Sequence, residues 1–430
     1  MKLKKKILVY AYAISPTRGS EYSVAWNYVT EMSKDNELVV LYGMSGAHMG
    51  DIAEMESYLK KKPIPNVRFI PVKPNKLANI LNAPNRNGFL VYSFYLAYQI
   101  WQKQVYEIAR ELVSKEKFDI VHYLGPIGYR APGYLWKLNL PYMWGPIGGT
   151  TNVPLKLLGA LPLSGKIKLG FRAISNSIQL RFKNLVREAI NRTDLLLTAT
   201  TNVRKDILAV FKVDSVYLPE NSIKELYVRN DNKFNHNIIK LIWIGMVDER
   251  KALIILLRSL IRIENKSAIE LHVVGDGPML CKLQDFANRN DLNNCIIWHG
   301  AVPRDQVFNL INDSHLHIIT SVSEGNPTTI WEAMSLGVPT MSLDHCGMHD
   351  TICEKCGIKI PIISLEQVIK EIAINIENLL ANKNELKRLS DGVLICAKKY
   401  TWEKRKLFLE KMYEQTILNW KREQCHHRPE

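Results

Sequence analysis

The chain has 430 residues, of which 47% are hydrophobic and 23% charged, and this balance excludes a disordered or fibrous protein. Its formal net charge of +15 favours an anionic partner such as nucleic acid, a membrane surface or a phosphorylated small molecule. Seven cysteines in a chain of this length do not indicate a disulfide scaffold. The sequence contains no paired CxxC fingers and no aromatic RNA-binding run, so we expect no nucleic-acid partner.

The first half of the chain alternates between strand-like and helix-like segments. Strands are predicted at ILVYAYAI, ELVVLYG, NVRFIPV, FDIVHYLG, PYMWGPIGG and TDLLLTAT, with helices over 20–33 and about 89–115. The first apolar run follows a basic start, but it is short for a signal peptide, and we interpret it as a buried strand. Strands separated by helical lengths predict parallel βαβ units in a doubly wound sheet.

A polar, turn-rich linker over 221–237 precedes a second alternating series. Its strands are predicted at IIKLIWIG, IELHVVG, CIIWHG, HLHIITS and VPTMSL, with helices over 252–264, 278–288, 328–335 and, finally, 402–420. The pattern predicts an α/β chain with two Rossmann-like domains: residues 1–220, completed by the helix 402–420, and residues 238–400. The cleft between two such domains is the expected ligand site. No run of about 18 apolar residues occurs, so we expect no transmembrane helix and a cytoplasmic location.

The segment 150–192 is unusually basic and amphipathic. Glu188 is its only acidic residue, and its basic residues are Lys156, Lys166, Lys168, Arg172, Arg181, Lys183, Arg187 and Arg192. Basic amphipathic helices bind anionic membranes or cover a polyanionic ligand. A solvated helical face packed on its own domain is the alternative interpretation.

The segment SEGNPTTIWEAMSLGVP, residues 323–339, holds two glutamates eight residues apart. Pro327 suits the first position of a helix, which leaves the backbone N–H groups of Thr328 and Thr329 at a positive helix end that favours phosphate. Glu324 precedes this end, and Glu332 lies about 7.5 Å along the helix from Pro327. The spacing suits a nucleotide sugar, with one carboxylate for the sugar hydroxyls, the other for the ribose hydroxyls, and the diphosphate between them.

The whole string resembles the E-x7-E signature of the retaining glycosyltransferases of family 4, which implies the two-domain GT-B fold. The resemblance covers most of the chain: WIGMVDERKAL, VVGDGPM, IIWHGAVPRDQV, LPENSI and YTWEKRKLFLEKMYE are similar to further family segments in the second domain, linker and last helix. SPTRGSEYSVAWNY resembles the glycine loop and helix of the first domain. WGPIGGT resembles a segment found in the subgroup of the family that assembles bacterial surface polysaccharides.

The resemblance implies roles for individual residues of this chain. Lys251 would contact the diphosphate and stabilise the leaving group, while Glu324 would hold the donor sugar and Glu332 the ribose. The remaining implied donor-binding residues are Gly19, Gly245, Arg250, Gly275, Val302, Gly325, Asn326, Pro327, Thr328 and Thr329. Among these, Gly19 would let the first-domain loop approach the diphosphate, and a turn glycine is the alternative.

The chain departs from the family pattern at two positions. Met246 occupies the place of an arginine that clamps the diphosphate, and Arg250 is the candidate substitute. His122 is a candidate active-site histidine, although the equivalent position falls nearer Leu124, and a buried histidine at a strand end is the alternative.

Two other motifs suggest different chemistry. Cys346, His349, Cys353 and Cys356 have zinc-like spacing, but their segment also resembles the family loop that follows the second glutamate, and we expect no metal. The GDG of VVGDGPM lacks the third glycine of a dinucleotide fingerprint, so NAD is rejected.

The resemblance therefore implies a metal-independent, retaining transferase without a cofactor, which moves a hexose or N-acetylhexosamine from a UDP- or GDP-linked donor. The expected acceptor is a lipid-linked oligosaccharide at the inner face of the plasma membrane. The alternatives are a degenerate scaffold that binds nucleotide sugars, which Met246 favours, an epimerase or hydrolase on the same fold, and a nucleic-acid binder.

Overall fold

The structure is a computed structural model, and it describes residues 4–19, 21–90 and 92–426. Its strands are β1 (Lys6–Ala11), β2 (Glu37–Tyr42), β3 (Val67–Pro71), β4 (Ile120–Gly125), β5 (Tyr142–Ile147), β6 (Leu195–Thr198), β7 (Val216–Tyr217), β8 (Ile239–Ile244), β9 (Ile269–Val274), β10 (Ile296–Gly300), β11 (Leu316–Ile319), β12 (Thr340–Leu343) and β13 (Gly357–Ile360). Most of them are short, apolar runs rich in β-branched residues, which suits strands buried on both faces.

The helices alternate with these strands. They are α1 (Glu21–Met32), α2 (Ala53–Lys61), α3 (Lys76–Arg86), α4 (Ser93–Lys115), α5 (Leu163–Phe182), α6 (Asn184–Asn191), α7 (Thr201–Phe211), α8 (Leu253–Ile261), α9 (Leu280–Arg289), α10 (Arg304–Asp313), α11 (Thr328–Ser335), α12 (Cys346–Thr351), α13 (Leu365–Ala381), α14 (Lys383–Ala397) and α15 (Trp402–His426). Each strand-to-strand crossover that contains a helix can return the chain to a parallel neighbour.

The described chain packs into two compact units. Unit 1 is formed by the described residues of 1–150, 178–220 and 403–430, and unit 2 by residues 151–177 and 221–402. The predicted boundary at 220 placed residues 151–177 with the first domain. Their apolar side chains, among them Leu157, Leu161 and Leu169, belong to the hydrophobic core of unit 2.

Unit 1 is built on a seven-stranded parallel sheet in the order β3-β2-β1-β4-β5-β6-β7. The strand order reverses between β1 and β4, where Ile7 lies opposite Ile120 and Leu8 opposite Val121. This is the topological switch point at which doubly wound sheets bind ligands. Aromatic side chains form much of the core on one side of the sheet, including Tyr10 of β1, Tyr123 of β4 and Trp101 of α4.

Unit 2 is built on a six-stranded parallel sheet in the order β10-β9-β8-β11-β12-β13. Here the order reverses between β8 and β11, with Leu316 opposite Leu241. The loops that follow β8 and β11 therefore emerge side by side, and these are the loops that carry Lys251 and Glu324. The predicted doubly wound α/β fold class is confirmed in both units.

Candidate functional site

Helix α11 presents the predicted positive end. Pro327 is its N-cap in an extended conformation, and the Ile330 N–H bonds the Pro327 carbonyl. No side chain caps this end within the part of the chain that the structure describes. The helix runs from Thr328 to Ser335, as the sequence predicts, so the N–H groups of its first turn point toward an anion-binding position.

Glu324 lies between two cations in the loop before α11. One of its oxygens, Oε2, is 2.5 Å from Lys251 Nζ and 2.9 Å from Arg250 Nη1. Arg250 also donates to the Ser323 carbonyl at 3.2 Å. The sequence predicts that Glu324 contacts the donor sugar and that Lys251 contacts the diphosphate. The structure brings these two side chains into one ion-paired cluster.

Backbone contacts fix the position of Arg250 and Lys251. The Val322 N–H donates to the Arg250 carbonyl at 2.9 Å, and the Thr320 hydroxyl donates to the Lys251 carbonyl at 2.9 Å. The Lys251 N–H donates in turn to Asp248 Oδ1 at 2.8 Å. The loops after β8 and β11 are therefore tied together, which holds the cationic side chains beside Glu324.

Glycines allow the neighbouring loops to approach each other. Gly275 has a φ of +134°, and a β-carbon there would lie 1.9 Å from the Gly245 carbonyl oxygen. The Gly275 N–H also donates to the Gly300 carbonyl at 2.8 Å, which places the end of β9 against the end of β10. Val302, another implied donor-binding residue, follows β10 and packs partly buried against an apolar cluster of unit 2.

Asn326 and Gly325 shape the loop at the α11 N-terminus. The buried Asn326 side chain accepts a hydrogen bond from the Trp331 indole, while its amide nitrogen makes no hydrogen bond with the described protein. The Gly347 N–H donates to the Gly325 carbonyl at 2.9 Å, and a β-carbon on Gly347 would lie 2.1 Å from that oxygen. The first turn of α12 therefore packs against this loop and holds it in place.

Glu332 is the second carboxylate of the segment, on α11, and its side chain is only 15% exposed. Burial raises its pKa above the ordinary value, and the guanidinium of Arg304, 3.0 Å away, partly opposes this rise. The sequence interpretation missed Arg304. It lies inside the string IIWHGAVPRDQV, at the start of α10, but only the fold brings its side chain to Glu332.

Met246 follows β8, where the family pattern has an arginine. Its side chain is 59% exposed, so no packing requirement explains the methionine. Arg250, the candidate substitute, is held at Glu324 and Ser323. It therefore supplies positive charge to the same cluster as Lys251.

The two candidate residues of the first domain lie in unit 1. A β-carbon on Gly19 would meet no atom within 4 Å, so the protein itself does not demand a glycine there. His122 is fully buried in β4, where its Nε2 donates to the Gly145 carbonyl at 2.8 Å and its Nδ1 lies 2.6 Å from the Tyr413 hydroxyl. Burial lowers its pKa to about 4. This geometry favours the structural interpretation of His122, as a neutral, fully bonded core histidine.

Leu124, two residues later, lines a small pocket at the carboxyl ends of β1 and β4, together with Ala11 and Pro126. The pocket lies at the switch point of the unit 1 sheet. The position that the resemblance favours for an active-site residue is therefore apolar in this chain.

The zinc-like spacing of Cys346, His349, Cys353 and Cys356 does not produce a four-residue site. Cys346 Sγ is 2.9 Å from His345 Nδ1, and His349 pairs with Asp344 at 2.7 Å. Cys353 and Cys356 lie instead with Cys396.

The sequence is similar to those of known glycosyltransferases. Residues 227–392 match the family model described as glycosyl transferases group 1. An uncharacterised glycosyltransferase of Methanocaldococcus jannaschii, MJ1059, is 30% identical over 159 residues, which span 36% of this chain and 38% of that protein. The putative colanic acid biosynthesis glycosyltransferase WcaL of Salmonella typhimurium is 24% identical over 232 residues, or 50% of this chain and 55% of the relative.

Among solved structures, Anabaena Alr3699/HepE in complex with UDP and glucose superimposes with a TM-score of 0.61. The match covers 96% of this chain and 100% of that one at 13% identity, and it therefore concerns the fold.

The two doubly wound units and the paired loops of unit 2 define a GT-B fold. Residues 227–392, within unit 2, match the glycosyltransferase group 1 family. The resemblance to glycosyltransferases inferred from the segment 323–339 is thereby confirmed, including its likeness to bacterial surface-polysaccharide transferases.

Proposed function

We propose that the chain is a retaining glycosyltransferase that moves a hexose or N-acetylhexosamine from a UDP- or GDP-linked donor to an acceptor hydroxyl. The observation that carries the proposal is the cluster of Glu324, Lys251 and Arg250 beside the uncapped end of α11, with Glu332 one turn into the same helix. All four side chains belong to unit 2. The structural neighbour solved with UDP and glucose supports a nucleotide-sugar donor.

The donor diphosphate would bind at the first turn of α11. Backbone N–H groups and the helix dipole favour an anion there, and Lys251 and Arg250 add two positive charges. Each cation has a hydrogen-bonding partner in Glu324, so donor binding would redistribute an existing charge network. The same carboxylate could then accept hydrogen bonds from sugar hydroxyls.

The nucleoside ribose would lie against Glu332. Its carboxylate has two oxygens, which can accept from the two vicinal hydroxyls of a ribose. Thr328 and Glu332 are four residues apart, or about 6 Å along the helix axis, which suits the distance from phosphate to ribose. The base would pack near Gly275 and Val302.

In the transfer step, the bond between the anomeric carbon and the donor phosphate oxygen breaks, and the acceptor oxygen bonds to the same face of that carbon. The acceptor proton passes to the departing phosphate. Lys251 and the end of α11 stabilise the negative charge that develops there, as preorganised positive groups do. The proposal needs no metal ion or cofactor for this step.

The test is the stereochemistry of the product. Nuclear magnetic resonance on transfer or slow hydrolysis products from an α-linked donor should show the α-anomer forming first. Initial formation of the β-anomer would contradict retention, and donor turnover without transfer to any acceptor would favour the hydrolase or epimerase alternative.

We further propose that the acceptor is lipid-linked and that the chain binds the inner face of the plasma membrane. Support comes from α5, whose exposed apolar residues recur every three or four positions: Leu163, Ile167, Phe171, Ile174, Ile178 and Phe182. Exposed basic residues flank this stripe on the same helix, among them Lys166, Lys168 and Arg181. An apolar stripe edged with lysine and arginine suits insertion at an anionic membrane surface.

No helix in the described ranges is long and apolar enough to cross a membrane. The relative WcaL, a putative colanic acid biosynthesis glycosyltransferase, supports a surface polysaccharide as the product.

A nucleotide-sugar-binding scaffold is the second candidate, and Met246 favours it because a methionine cannot clamp a diphosphate. A scaffold would bind the donor and would release no nucleoside diphosphate in the presence of membrane lipid extracts. The proposed transferase would release it, and Lys251→Ala would strongly slow the release.

A further inference from the structure

Three cysteines meet next to the apolar cluster that packs against α11. Cys353 and Cys356 lie in the turn between α12 and β13, and Cys396 lies 40 residues later, near the end of α14. Their sulfur atoms all lie within 4.8 Å of one another. Cys353 Sγ is 3.5 Å from Cys356 Sγ and 3.6 Å from Cys396 Sγ, and all three are free thiols.

Close backbone packing brings this group together. A β-carbon on Gly392 would lie 1.8 Å from the Lys355 carbonyl oxygen, so α14 touches the turn at a position where only glycine fits. Gly392 and Cys396 are one helical turn apart and face the same way. The turn itself is closed by the N–H groups of Cys356 and Gly357, which donate to the Cys353 carbonyl at 2.9 and 3.0 Å.

The environment distinguishes these thiols from ordinary core cysteines. Cys356 and Cys396 are 2% and 5% exposed, whereas Cys353 is partly exposed and gives access from solvent.

The geometry points to a binding site for one thiophilic metal ion, with Zn²⁺ as the chief candidate and Cys353, Cys356 and Cys396 as its ligands. Zinc–sulfur bonds of about 2.3 Å in a tetrahedral site place the sulfurs about 3.8 Å apart, so the observed spacing needs only small adjustments. Three protein ligands leave a fourth position for water or another oxygen. Each thiol that binds as a thiolate releases its proton to solvent.

The site is distinct from the proposed donor site, and it does not depend on the proposed function. It nevertheless shares a hydrophobic cluster with α11, because Cys356 and Cys396 pack in the same group as Ile330 and Trp331. Tyr400 contacts Trp331 edge to face, with ring centroids 5.2 Å apart. A metal ion that ties the turn 353–356 to α14 would therefore stabilise the packing beneath α11.

The test is titration of the purified full chain with Co²⁺ under a non-thiol reductant, after removal of metals with a chelator. Cobalt bound by thiolates gives an ultraviolet charge-transfer absorption, which Zn²⁺ should then remove. We expect saturation at one equivalent, and a melting temperature that rises with added Zn²⁺. Cys353→Ser and Cys396→Ser should each lose the absorption and the rise, whereas Cys281→Ser and Cys425→Ser, which alter exposed cysteines elsewhere, should keep both.

Cys353→Ser is the decisive variant, because Cys353 is the least buried of the three and its loss should leave the fold intact, as circular dichroism would check. A native chain that shows no thiolate absorption, or an absorption that survives in folded Cys353→Ser, would overturn the proposal. It would also fail if oxidation joined Cys353 to Cys356 while the reduced chain bound no metal.

Discussion

At the scale of single residues, Lys251 is the side chain on which the proposed chemistry depends most. Its ammonium lies 2.5 Å from Glu324 at the end of α11 that would receive the diphosphate. Lys251→Ala should lower kcat by about 10²- to 10³-fold, because a preorganised positive group would be missing as charge develops on the leaving phosphate. Steady-state release of nucleoside diphosphate measures this effect.

The matched control is Lys370→Ala, which removes an exposed lysine of α13 in the same unit. Arg250→Ala should have a smaller effect than Lys251→Ala, since Lys251 remains beside Glu324. Equal activity in Lys251→Ala and Lys370→Ala would refute the role of Lys251.

Glu332 gives the donor site a pH dependence. Burial raises the pKa of this carboxyl, so the folded chain holds the proton more tightly than the unfolded chain. Protonated Glu332 therefore stabilises the fold at low pH, and this contribution is lost as pH rises through the raised pKa. The proposed binding of the ribose needs the ionised form of the carboxyl. Nucleotide affinity should therefore weaken as pH falls through this raised pKa, while Glu332→Gln should show a flat profile.

The variant Arg304→Ala tests the same pH dependence in a second way. Its guanidinium lowers the pKa of Glu332, so Arg304→Ala should move the loss of affinity to higher pH. Calorimetric titration at several pH values would show it. An unchanged profile in Arg304→Ala would mean that Glu332 does not control nucleotide binding.

The sequence singled out residues for the candidate site but not their pairing. Glu324, Lys251 and Glu332 were chosen because they lie within recognisable strings, and their roles stay predictions; the helix over 328–335 was predicted with the correct bounds. Arg304 and Cys396 were missed because each approaches its partner only through tertiary packing: Arg304 lies 28 residues from Glu332, and Cys396 lies 43 residues from Cys353. His122 was named as a candidate because the sequence of a strand end is the same for a buried histidine and for an active-site histidine.

At the scale of elements, helix α5 carries the membrane proposal. Phe171 and Ile174 lie in the middle of its apolar stripe and are 66% and 64% exposed. Burying two such side chains in a membrane contributes about 1.5–3 kcal/mol each, so Phe171→Glu combined with Ile174→Glu should reduce binding to anionic vesicles more than tenfold. Vesicle flotation measures the bound fraction.

Ile363→Glu is the control, because Ile363 is similarly exposed, at 63%, outside α5. It should bind vesicles like the native chain. The membrane proposal would be wrong if the native chain did not float with anionic vesicles, or if both variants floated equally well.

Two of the ion pairs that join helix α15 to the rest of unit 1 differ in burial. Glu410 accepts from Lys5 at 2.7 Å and from Asn36 at 2.6 Å, with side chains of Lys5 and Glu410 only 10% and 5% exposed. Glu410→Ala leaves the Lys5 charge buried beside a single exposed partner, and it should lower the free energy of unfolding by about 3–5 kcal/mol.

The second pair is the built-in control. Lys406 pairs with Asp35 at 2.6 Å on the surface, so Lys406→Ala should cost at most about 1 kcal/mol. Denaturant melts of both variants provide the comparison. Similar losses in the two would show that burial of the Glu410 pair does not decide the docking of α15.

Periodicity predicted most of the strands and missed about half of the helices. The buried strands of both sheets were found because they are apolar runs bounded by turns. Helices α2, α3, α7, α10 and α12–α14 and strands β7 and β13 were not predicted. In β13, the four residues GIKI are too few to show a period, and their assignment depends on pairing with β12.

At the scale of the whole molecule, alternation of strands and helices was enough to predict two doubly wound units, because a parallel sheet requires a crossover after each strand. The grouping of 151–177 with unit 2 could not be read from the sequence, since it arises from the packing of Leu157, Leu161 and Leu169 on a core built by later residues. The net charge of +15 indicated an anionic partner, but it did not distinguish nucleic acid, a membrane surface and a phosphorylated small molecule.

The central claim is that unit 2 binds a nucleoside diphosphate through the end of α11 and Glu332. The most direct measurement is the melting temperature of the native chain with UDP, GDP, CDP and their common sugars, beside Glu332→Ala and the exposed control Glu264→Gln. A ligand at a hundredfold excess over its dissociation constant stabilises the fold by about 2.7 kcal/mol. The account predicts a shift for one base, kept in Glu264→Gln and lost in Glu332→Ala; no shift with any nucleotide, or equal shifts in all three proteins, would contradict it.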